Sequence, residues 1–493
     1  MLYIRVVKTK GDSRAVQVIR YSNSRRIIIK HIGSAKTDED IATLCEAAET
    51  FIIHARGQIS LFPSDNSADN LILLDQSEYI GFYYSFLYEL LFKIQFQLGY
   101  TSIADGFLID LVIMRIIEPA SKLRSIELME TYFGIRHRRQ RYYESALQWL
   151  SLKKEIEKQT TQFAIKEYNF DFSLLFYDVT TLYFETFDAD ELRKPGFSKD
   201  GKSQQPQILV GLMVTPEGFP VSYEIYAGNT FEGNTILPII KAFITTHNVQ
   251  HFTVVADAAM ISTTNIEALQ MAKISYIVGA RLGNISKDLF SKIDKTLVKE
   301  DGNIIRVKTD KGYLICSFSK KRYAKDKFEM DKQLEKAKKL LAQPSKVKNV
   351  KFLKDDNKKV ELNEDLIKKT TALLGTKGYY TDIDESIADN KTIIERYHEL
   401  YRIEQAFRVS KSDLQTRPIF HFKEEPIKLH MLICFMALAV SKHIELKTET
   451  SIRAFLTMAK KVSDARILNK ITKKENRMRV TVPDKIKKLN LPH

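Results

Sequence analysis

Three acidic residues are placed differently from the other carboxylates of this sequence. Asp178 follows the apolar run Leu174–Tyr177, Asp257 follows Thr253–Ala256, and Glu404 lies in a segment with helical periodicity. Buried strands would carry both aspartates to the rim of a sheet, where an ionised carboxylate is costly unless it is paired or binds a metal. Together they would form a pocket of hard oxygen atoms, which predicts binding of Mg²⁺ or Mn²⁺ and chemistry on a phosphodiester.

Each aspartate also has a purely structural explanation. Either one could cap a turn or pair with a buried arginine, and for each residue alone this explains the sequence equally well. The metal-binding hypothesis therefore depends on the two residues lying on neighbouring strands.

Glu404 is one of three residues spaced by sevens, with Tyr397 before it and Lys411 after it. Seven helical residues turn through roughly 700°, so these side chains would differ in direction by only about 20° per step, and Arg408 would join the same face. An amphipathic helix with a surface Glu404–Arg408 pair explains this spacing, and spacing alone favours it. In the functional alternative, Glu404 reaches the metal ions while Tyr397, Arg408 and Lys411 contact phosphates.

The composition restricts the class of protein. With 493 residues, 44% hydrophobic and 28% charged, the chain should fold into two to four domains, which excludes a disordered or collagen-like polypeptide. Lys and Arg exceed Asp and Glu by 76 to 61, a net charge of +15 that favours a nucleic acid or an anionic membrane as partner. Three scattered cysteines exclude a disulfide framework and a thiolate zinc site.

Targeting signals are not evident in the sequence. The N-terminus lacks the apolar core of a signal peptide, and the longest apolar run, Met431–Val440, spans ten residues, about half a membrane. We therefore expect a soluble protein of a reducing compartment that binds nucleic acid and no membrane.

Patterning divides the chain into six segments. Residues 1–63 predict a small α+β domain, with strands at Tyr3–Val7, Ala15–Tyr21 and Arg26–Ile32 and a helix at Ile41–Ile53. A polar linker at Pro63–Asn70 precedes a helical region, 71–168, for which we expect a role in DNA binding. An α/β core follows, with its first part at 169–283 and its second part at 389–446 around Glu404. The core is interrupted by a strand-rich insertion, 284–388, and the chain ends with a basic tail, 447–493, which holds 13 Lys and Arg against four Asp and Glu.

A basic cluster lies within the helical region. Arg136, Arg138, Arg139 and Arg141 are interleaved with aromatic residues. They could form a solvated loop or a phosphate-contacting patch, and the sequence supports both equally.

Several short motifs together resemble a known family. The residues around Asp178 and Asp257, and the spacing of Tyr397, Glu404 and Lys411, are similar to the acidic triad and helical motif of bacterial insertion-sequence DDE transposases of the YREK class. The resemblance covers Phe172–Phe422 and includes further motifs in the family's order: Phe197-Ser-Lys-Asp-Gly201, Pro206-Gln-Ile, Gly228–Thr235 and Arg417-Pro-Ile-Phe-His421. One position departs from it, since Leu400 stands where the class has arginine.

The resemblance implies a fold and a mechanism. It implies a ribonuclease H-like mixed sheet with a strand-rich insertion, in which Asp178, Asp257 and Glu404 hold two Mg²⁺ ions, with Mn²⁺ able to substitute. The enzyme would cut double-stranded DNA at the inverted-repeat ends of its own element and join them to target DNA, as a cut-and-paste reaction through a hairpin intermediate. It also implies that Tyr397 and Lys411 contact terminal phosphates. We expect a homodimer in the DNA complex and a cytoplasmic, nucleoid-associated location.

Two other functions fit the same residues. A ribonuclease H-like nuclease would cut DNA without joining it. A basic DNA-binding protein with a vestigial triad would do neither, although three intact acids argue for an active enzyme.

Overall fold

The computed structural model describes residues 2–9, 11–22, 25–55, 76–197, 204–249, 251–260, 262–341, 351–355 and 360–487. The predicted linker at Pro63–Asn70 and the motif residues 198–201 lie outside this range.

The strands are β1 Leu2–Lys8, β2 Arg14–Ser22, β3 Arg25–Ala35, β4 Ser77–Tyr83, β5 Leu174–Tyr183, β6 Lys194–Pro195, β7 Pro206–Val214, β8 Pro220–Ala227, β9 Thr253–Ala256, β10 Ser275–Ala280, β11 Ile304–Thr309, β12 Gly312–Phe318, β13 Leu353–Asp355, β14 Val360–Leu362, β15 Thr376–Thr381, β16 Asp464–Asn469 and β17 Glu475–Arg479. The helices are α1 Asp38–Ala55, α2 Ser85–Gln97, α3 Gly106–Ile117, α4 Lys122–Phe133, α5 Arg139–Ser151, α6 Lys153–Tyr168, α7 Ile236–His247, α8 Thr263–Met271, α9 Lys287–Thr296, α10 Lys320–Leu341, α11 Glu364–Ala372, α12 Asn390–His398, α13 Tyr401–Arg408, α14 Glu424–Thr448, α15 Ile452–Ala459 and α16 Asp484–Lys487.

The chain divides into two compact units. The smaller unit contains Met1–Leu91, Ile126–Arg136 and Arg453–His493, and the larger contains Phe92–Ser125 and His137–Ile452.

The smaller unit begins with the predicted meander and helix. Strands β1, β2 and β3 pair in sequence order, and Val16 and Val18 of β2 pack against Leu44 of α1. The side chain of Thr37 accepts a hydrogen bond from the Asp40 backbone N–H at 3.2 Å, which caps the helix as its sequence predicts. This part of the sequence-based secondary structure is confirmed.

A second sheet of the smaller unit uses residues from the segment predicted as a basic tail. Strand β16 pairs antiparallel with both β4 and β17. Arg479 of β17 donates hydrogen bonds to Asp464 at 2.7 Å and to Glu89 at 2.8 Å. Residues 452–479 therefore form a helix and paired strands in this unit. The domain boundaries assigned from the sequence stay predictions.

The larger unit is built on one mixed sheet. Its strand order is β11-β12-β15-β10-β9-β5-β7-β6, and β8 also pairs with β7, beyond the short stretch that pairs with β6. Strand β9 runs parallel to β5 and β10, whereas the other pairs are antiparallel. All nine residues of β7 are buried, as their uninterrupted apolar sequence predicts for a central strand covered on both faces.

The segment predicted as an insertion contributes to this same sheet. Its strands β11, β12 and β15 extend the sheet beyond β10. A separate apolar cluster within the segment joins Met330 and Ala337 of α10 to Phe352 and Leu374. The segment therefore contributes three strands to the large sheet and also forms a small apolar core of its own.

Helix α14 forms the centre of the helical layer. It packs against α3, α5, α6 and β8, and every residue from Leu429 to Ile444 is buried. By length and composition α14 could cross a membrane, but 94% of its most apolar stretch is buried inside the protein, as in the core helix of a soluble protein.

Candidate active site

The two aspartates lie side by side on the central sheet. Strands β5 and β9 are parallel neighbours, with Tyr177 directly opposite Ala256. Asp178 and Asp257 are the next residues on these strands, so their backbones lie about 4.8 Å apart, the spacing of adjacent strands. Asp178 lies within β5 and Asp257 directly follows β9, so the prediction of neighbouring strands is confirmed, whereas the expected position of Asp178 at a strand end is wrong.

Glu404 reaches the same place from a helix. Helix α13 packs against β5 and β7 through a buried side that contains Ile403, Ala406 and Phe407, whereas Glu404 is exposed. Asp178, Asp257 and Glu404 line one cavity of about 340 Å³. The structure therefore brings together three carboxylates that are 226 positions apart in the sequence from first to last.

Tyr397 forms a further part of the cavity wall. Its hydroxyl lies 3.4 Å from Asp257 Oδ1 and donates a hydrogen bond to it. Burial, followed by the negative charge of Asp257, raises the pKa of the tyrosine hydroxyl, and Asp178 adds to the effect. A Cβ atom on Gly279 of β10 would lie 2.5 Å from the Tyr397 hydroxyl oxygen, so only glycine leaves room for this ring.

Lys377 of β15 is a cavity residue that the sequence analysis missed. Its ammonium group lies 4.6 Å from the centre of the Tyr397 ring. Burial and the nearby Arg322 lower the pKa of Lys377, and the negative charges of Asp257 and Glu404 oppose that shift. Strand pairing with β10 brings β15 to the site. No motif surrounds Lys377, and its segment looked like an insertion remote from the acids.

The electrostatic neighbours show that the three acids share one environment. The negative charges of Asp257 and Asp178 raise the pKa of the Tyr397 hydroxyl, and those of Asp257 and Glu404 act to raise the pKa of the Lys377 ammonium group. Because Asp257 acts on both groups, all three carboxylates act on this one cavity.

The donor set fits hard divalent cations. Three carboxylates supply the oxygen ligands that Mg²⁺ and Mn²⁺ prefer. Within the described ranges, however, no three His, Cys, Asp or Glu side chains are already arranged to hold a metal ion. The exposed carboxylate of Glu404 makes no hydrogen bond or ion pair to any described residue.

Comparison with known proteins identifies the family. Residues 170–440 match the family model of the transposase DDE domain, which covers more than half of the chain.

The chain belongs to the DDE transposase family.

No curated protein matches the sequence. Among solved structures, this family member is similar to a cryo-EM structure of a piggyBac transposase synaptic complex with hairpin DNA. The identity is 10% and the TM-score is 0.39, over 77% of this chain and 80% of that chain.

The expectation of one continuous helix from Tyr397 to Lys411 is wrong. Helix α12 ends at His398, α13 begins at Tyr401, and residues 409–413 form a π-helical turn. Backbone bonds from the N–H of Leu400 to the oxygen of Tyr397, and from Ile403 to Leu400, tighten the chain between the helices. The break between the helices and the π-helical turn both change the rotation per residue. Residues spaced by seven therefore no longer point in nearly the same direction.

The break separates the residues that were expected on one face. Tyr397 and Glu404 still line the cavity, but the exposed Arg408 and the half-buried Lys411 are not among its lining residues. Leu400, at the position where arginine was expected, is buried and lines the cavity instead. The assignment of Arg408 and Lys411 as DNA contacts stays a prediction.

The arginines of the basic cluster are all exposed. In the smaller unit, Arg136 pairs with Glu130 at 2.7 Å. In the larger unit, Arg141 pairs with Asp105 at 3.0 Å, and the Arg139 guanidinium lies 5.9 Å from the centre of the Tyr143 ring. Arg138 immediately precedes α5. Two of these arginines thus have acidic partners, and the DNA-binding role of the cluster stays a prediction.

Proposed function

We propose that this DDE transposase cleaves DNA at the ends of its own insertion sequence and transfers those ends to target DNA. The observation that carries the proposal is the convergence of Asp178, Asp257 and Glu404 on one cavity of about 340 Å³. Membership of the family and the net charge of +15 agree with double-stranded DNA as the partner.

The three carboxylates are the proposed ligands of two Mg²⁺ ions, with Mn²⁺ as a substitute. When bound, such ions supply an activated attacking oxygen and stabilise the leaving oxygen of a phosphodiester. Asp178 and Asp257 would be fixed by the sheet, while the exposed Glu404 would adjust by side-chain rotation. This division agrees with the absence of a ready-made cluster among the residues that the structure describes.

The neighbouring residues have separate proposed roles. The Tyr397 hydroxyl holds the Asp257 carboxylate in one orientation through its hydrogen bond. Lys377 places a cation beside Asp257 and Glu404, where it limits their mutual repulsion and can contact a DNA phosphate. Leu400 makes the corresponding part of the wall apolar.

Finer features of the proposal rest on strand order and motifs. The sequence of neighbours β8-β7-β5-β9-β10, antiparallel up to β5 and parallel beyond it, supports a ribonuclease H-like core. The YREK class, a bacterial source, a hairpin intermediate and a homodimer on DNA are proposed from the motif resemblance alone. A bacterial member of this class would act on the nucleoid in the cytoplasm.

A cleavage assay tests the proposal. A supercoiled plasmid bearing the inverted repeats that flank the coding region is incubated with the protein and Mg²⁺ or Mn²⁺. We expect cut products with the wild type, and none with Asp178→Ala, Asp257→Ala or Glu404→Ala, although each variant should still bind DNA. Asp294→Ala, which removes an exposed carboxylate of α9, is the matched control and should cut normally.

The same assay separates the alternatives. A pre-cleaved end offered with target DNA should yield joined products, whereas a nuclease without strand transfer would give none. Unchanged cleavage by any one triad variant would remove that residue from the site, and binding without cleavage by the wild type would favour an inactive DNA-binding protein.

A further inference from the structure

A second cavity of the larger unit gathers charge of the opposite sign. It has a volume of about 90 Å³ and lies between the end of α3, the start of α4 and the segment before and within α14. Its polar lining consists of Arg115, Ser121, Lys122, Gln415, His421 and His430. Among the described residues that line it, none is Asp or Glu.

Lys122 is the most unusual of these residues. Its exposed fraction is 8%, and the described part of the chain offers it no hydrogen bond and no ion pair. Arg115 is equally buried, with an exposed fraction of 6%, and one of its nitrogens donates to the Ala120 carbonyl at 3.0 Å. Buried cations are normally paired with carboxylates because an uncompensated charge costs several kcal/mol.

The titration behaviour agrees with an excess of positive charge. Burial and then Arg115 lower the pKa of Lys122 to about 7. Burial and then Lys122 and Arg115 lower the pKa of His421 to about 4. Burial and then the same charges lower the pKa of His430, whose ring nitrogen lies 3.0 Å from the Thr416 carbonyl oxygen. No carboxylate contributes to any of these three shifts.

The shape and the backbone of the cavity suit a small anion. A volume of about 90 Å³ suits a small ion such as a tetrahedral oxyanion, since pockets for larger ligands typically have volumes of about 300–1,000 Å³. Ser121 caps α4 by accepting a hydrogen bond from Arg124 N–H at 3.3 Å, so the positive end of that helix faces the same wall. The exposed Ser121 and Phe420 leave the cavity open to solvent on one side.

We infer that this cavity is an oxyanion site that binds a phosphate group through Lys122 and Arg115, with His421 at its rim. The lysine supplies a point charge and the guanidinium supplies directional donors, the pair of groups that proteins use for phosphate. The phosphate is either free inorganic phosphate or a phosphate of DNA. Because the site uses none of the three carboxylates, it stands whether or not the transposition proposal holds.

Calorimetric titration of the full chain with inorganic phosphate tests the site. We expect saturable binding by the wild type in excess of that seen with chloride at equal ionic strength. Lys122→Met keeps the length of the side chain and removes its charge, and should weaken phosphate binding on the order of tenfold to a hundredfold. Lys93→Met, which removes an exposed lysine of α2, is the matched control and should bind like the wild type.

Further variants keep the test decisive. Lys122→Arg preserves the positive charge and should retain most of the phosphate affinity. Arg115→Gln provides a second, independent loss of positive charge in the same cavity. Equal phosphate affinity in the wild type and both charge-removing variants would overturn the proposal, as would a wild type that shows no binding.

Titrations in the presence of DNA identify the source of the phosphate. The titration is repeated with the protein saturated by duplex DNA. If DNA suppresses binding of inorganic phosphate and Lys122→Met weakens DNA binding, the occupant is a phosphate of DNA. If phosphate binds equally well in the presence of DNA, the occupant is the free anion.

Discussion

The acidic cavity and the basic cavity of the larger unit both gather like charges, but they differ in solvation. Asp257 and Glu404 are exposed, whereas Lys122 and Arg115 are more than nine-tenths buried. Water screens repulsion between exposed charges at little cost, while buried charges pay for their lost hydration. Repulsion between the exposed carboxylates is therefore screened by water, whereas burial of the basic cavity is reflected in the lowered pKa of Lys122.

This contrast predicts which measurement each cavity controls. Changes to the exposed carboxylates of the acidic cavity, Asp257 and Glu404, should alter catalysis with little effect on folding. Changes in the basic cavity should alter folding stability and its dependence on pH.

The largest expected effect is on cleavage. Asp257→Asn preserves the shape of the side chain but removes one charge of the proposed metal site, so the cleavage rate should fall by roughly a thousandfold or more. Because Asp257 is exposed, the free energy of unfolding should change little. Single-turnover cleavage and urea denaturation measure both, with Asp294→Asn as the control. A rate within tenfold of wild type would remove Asp257 from the metal site.

The next effect concerns stability and its pH dependence. The pKa of Lys122 falls from 10.5 to about 7 on folding, so between these values the unfolded chain binds more protons and folding stability rises with pH. Lys122→Met should therefore be more stable than the wild type by a few kcal/mol at pH 7, and this advantage should shrink towards pH 10.

Urea denaturation at several pH values and without phosphate measures this difference. Groups whose pKa does not depend on Lys122 cancel in the comparison. If Lys122→Met is no more stable than the wild type at pH 7, or if its extra stability grows with pH, Lys122 is not a buried, unpaired cation.

A third, smaller effect tests how the acidic cavity is supported. Gly279→Ala places a Cβ atom 2.5 Å from the Tyr397 hydroxyl oxygen, which should displace the ring and destabilise the fold by about 1–3 kcal/mol. Tyr397→Phe removes the atom that collides, so the double variant should recover much of this loss. Thermal unfolding of the two single variants and the double variant measures the coupling. Strictly additive effects would show that Tyr397 does not fill this space.

The smallest effect concerns basic residues outside both cavities. The turn between β16 and β17 carries three exposed lysines, Lys470, Lys473 and Lys474. Deleting residues 447–493 would remove the strand partner of β4, so charge-neutral substitutions test their role more cleanly. The triple glutamine variant tests whether these lysines neutralise DNA phosphates. If they do, the slope of the logarithm of the DNA-binding constant against the logarithm of salt concentration should become shallower by about 0.9 for each phosphate that is no longer neutralised. An unchanged slope would show that they are solvated surface charges.

Much of the sheet could be predicted from local pattern. The apolar runs at β5, β7, β8, β9 and β10, and the hairpin between β7 and β8, follow from hydrophobicity and turn residues that are close in sequence. Asp178 and Asp257 stood out for the same reason, since each charge interrupts a run of buried residues. The break between α12 and α13 was not predictable in this way, because the periodicity continues while the backbone changes its winding.

The sequence singled out Asp178 and Asp257 because each follows a run of apolar residues, whereas Glu404 was selected only through the motif resemblance. The sequence was not enough to reveal Lys377 or the basic cavity. Lys377 reaches the acids only because β15 pairs with β10, and Lys122 meets His421 only when distant segments pack together. The physical reason is that the free energy of a charge depends on its neighbours and its hydration, and both are properties of the folded protein.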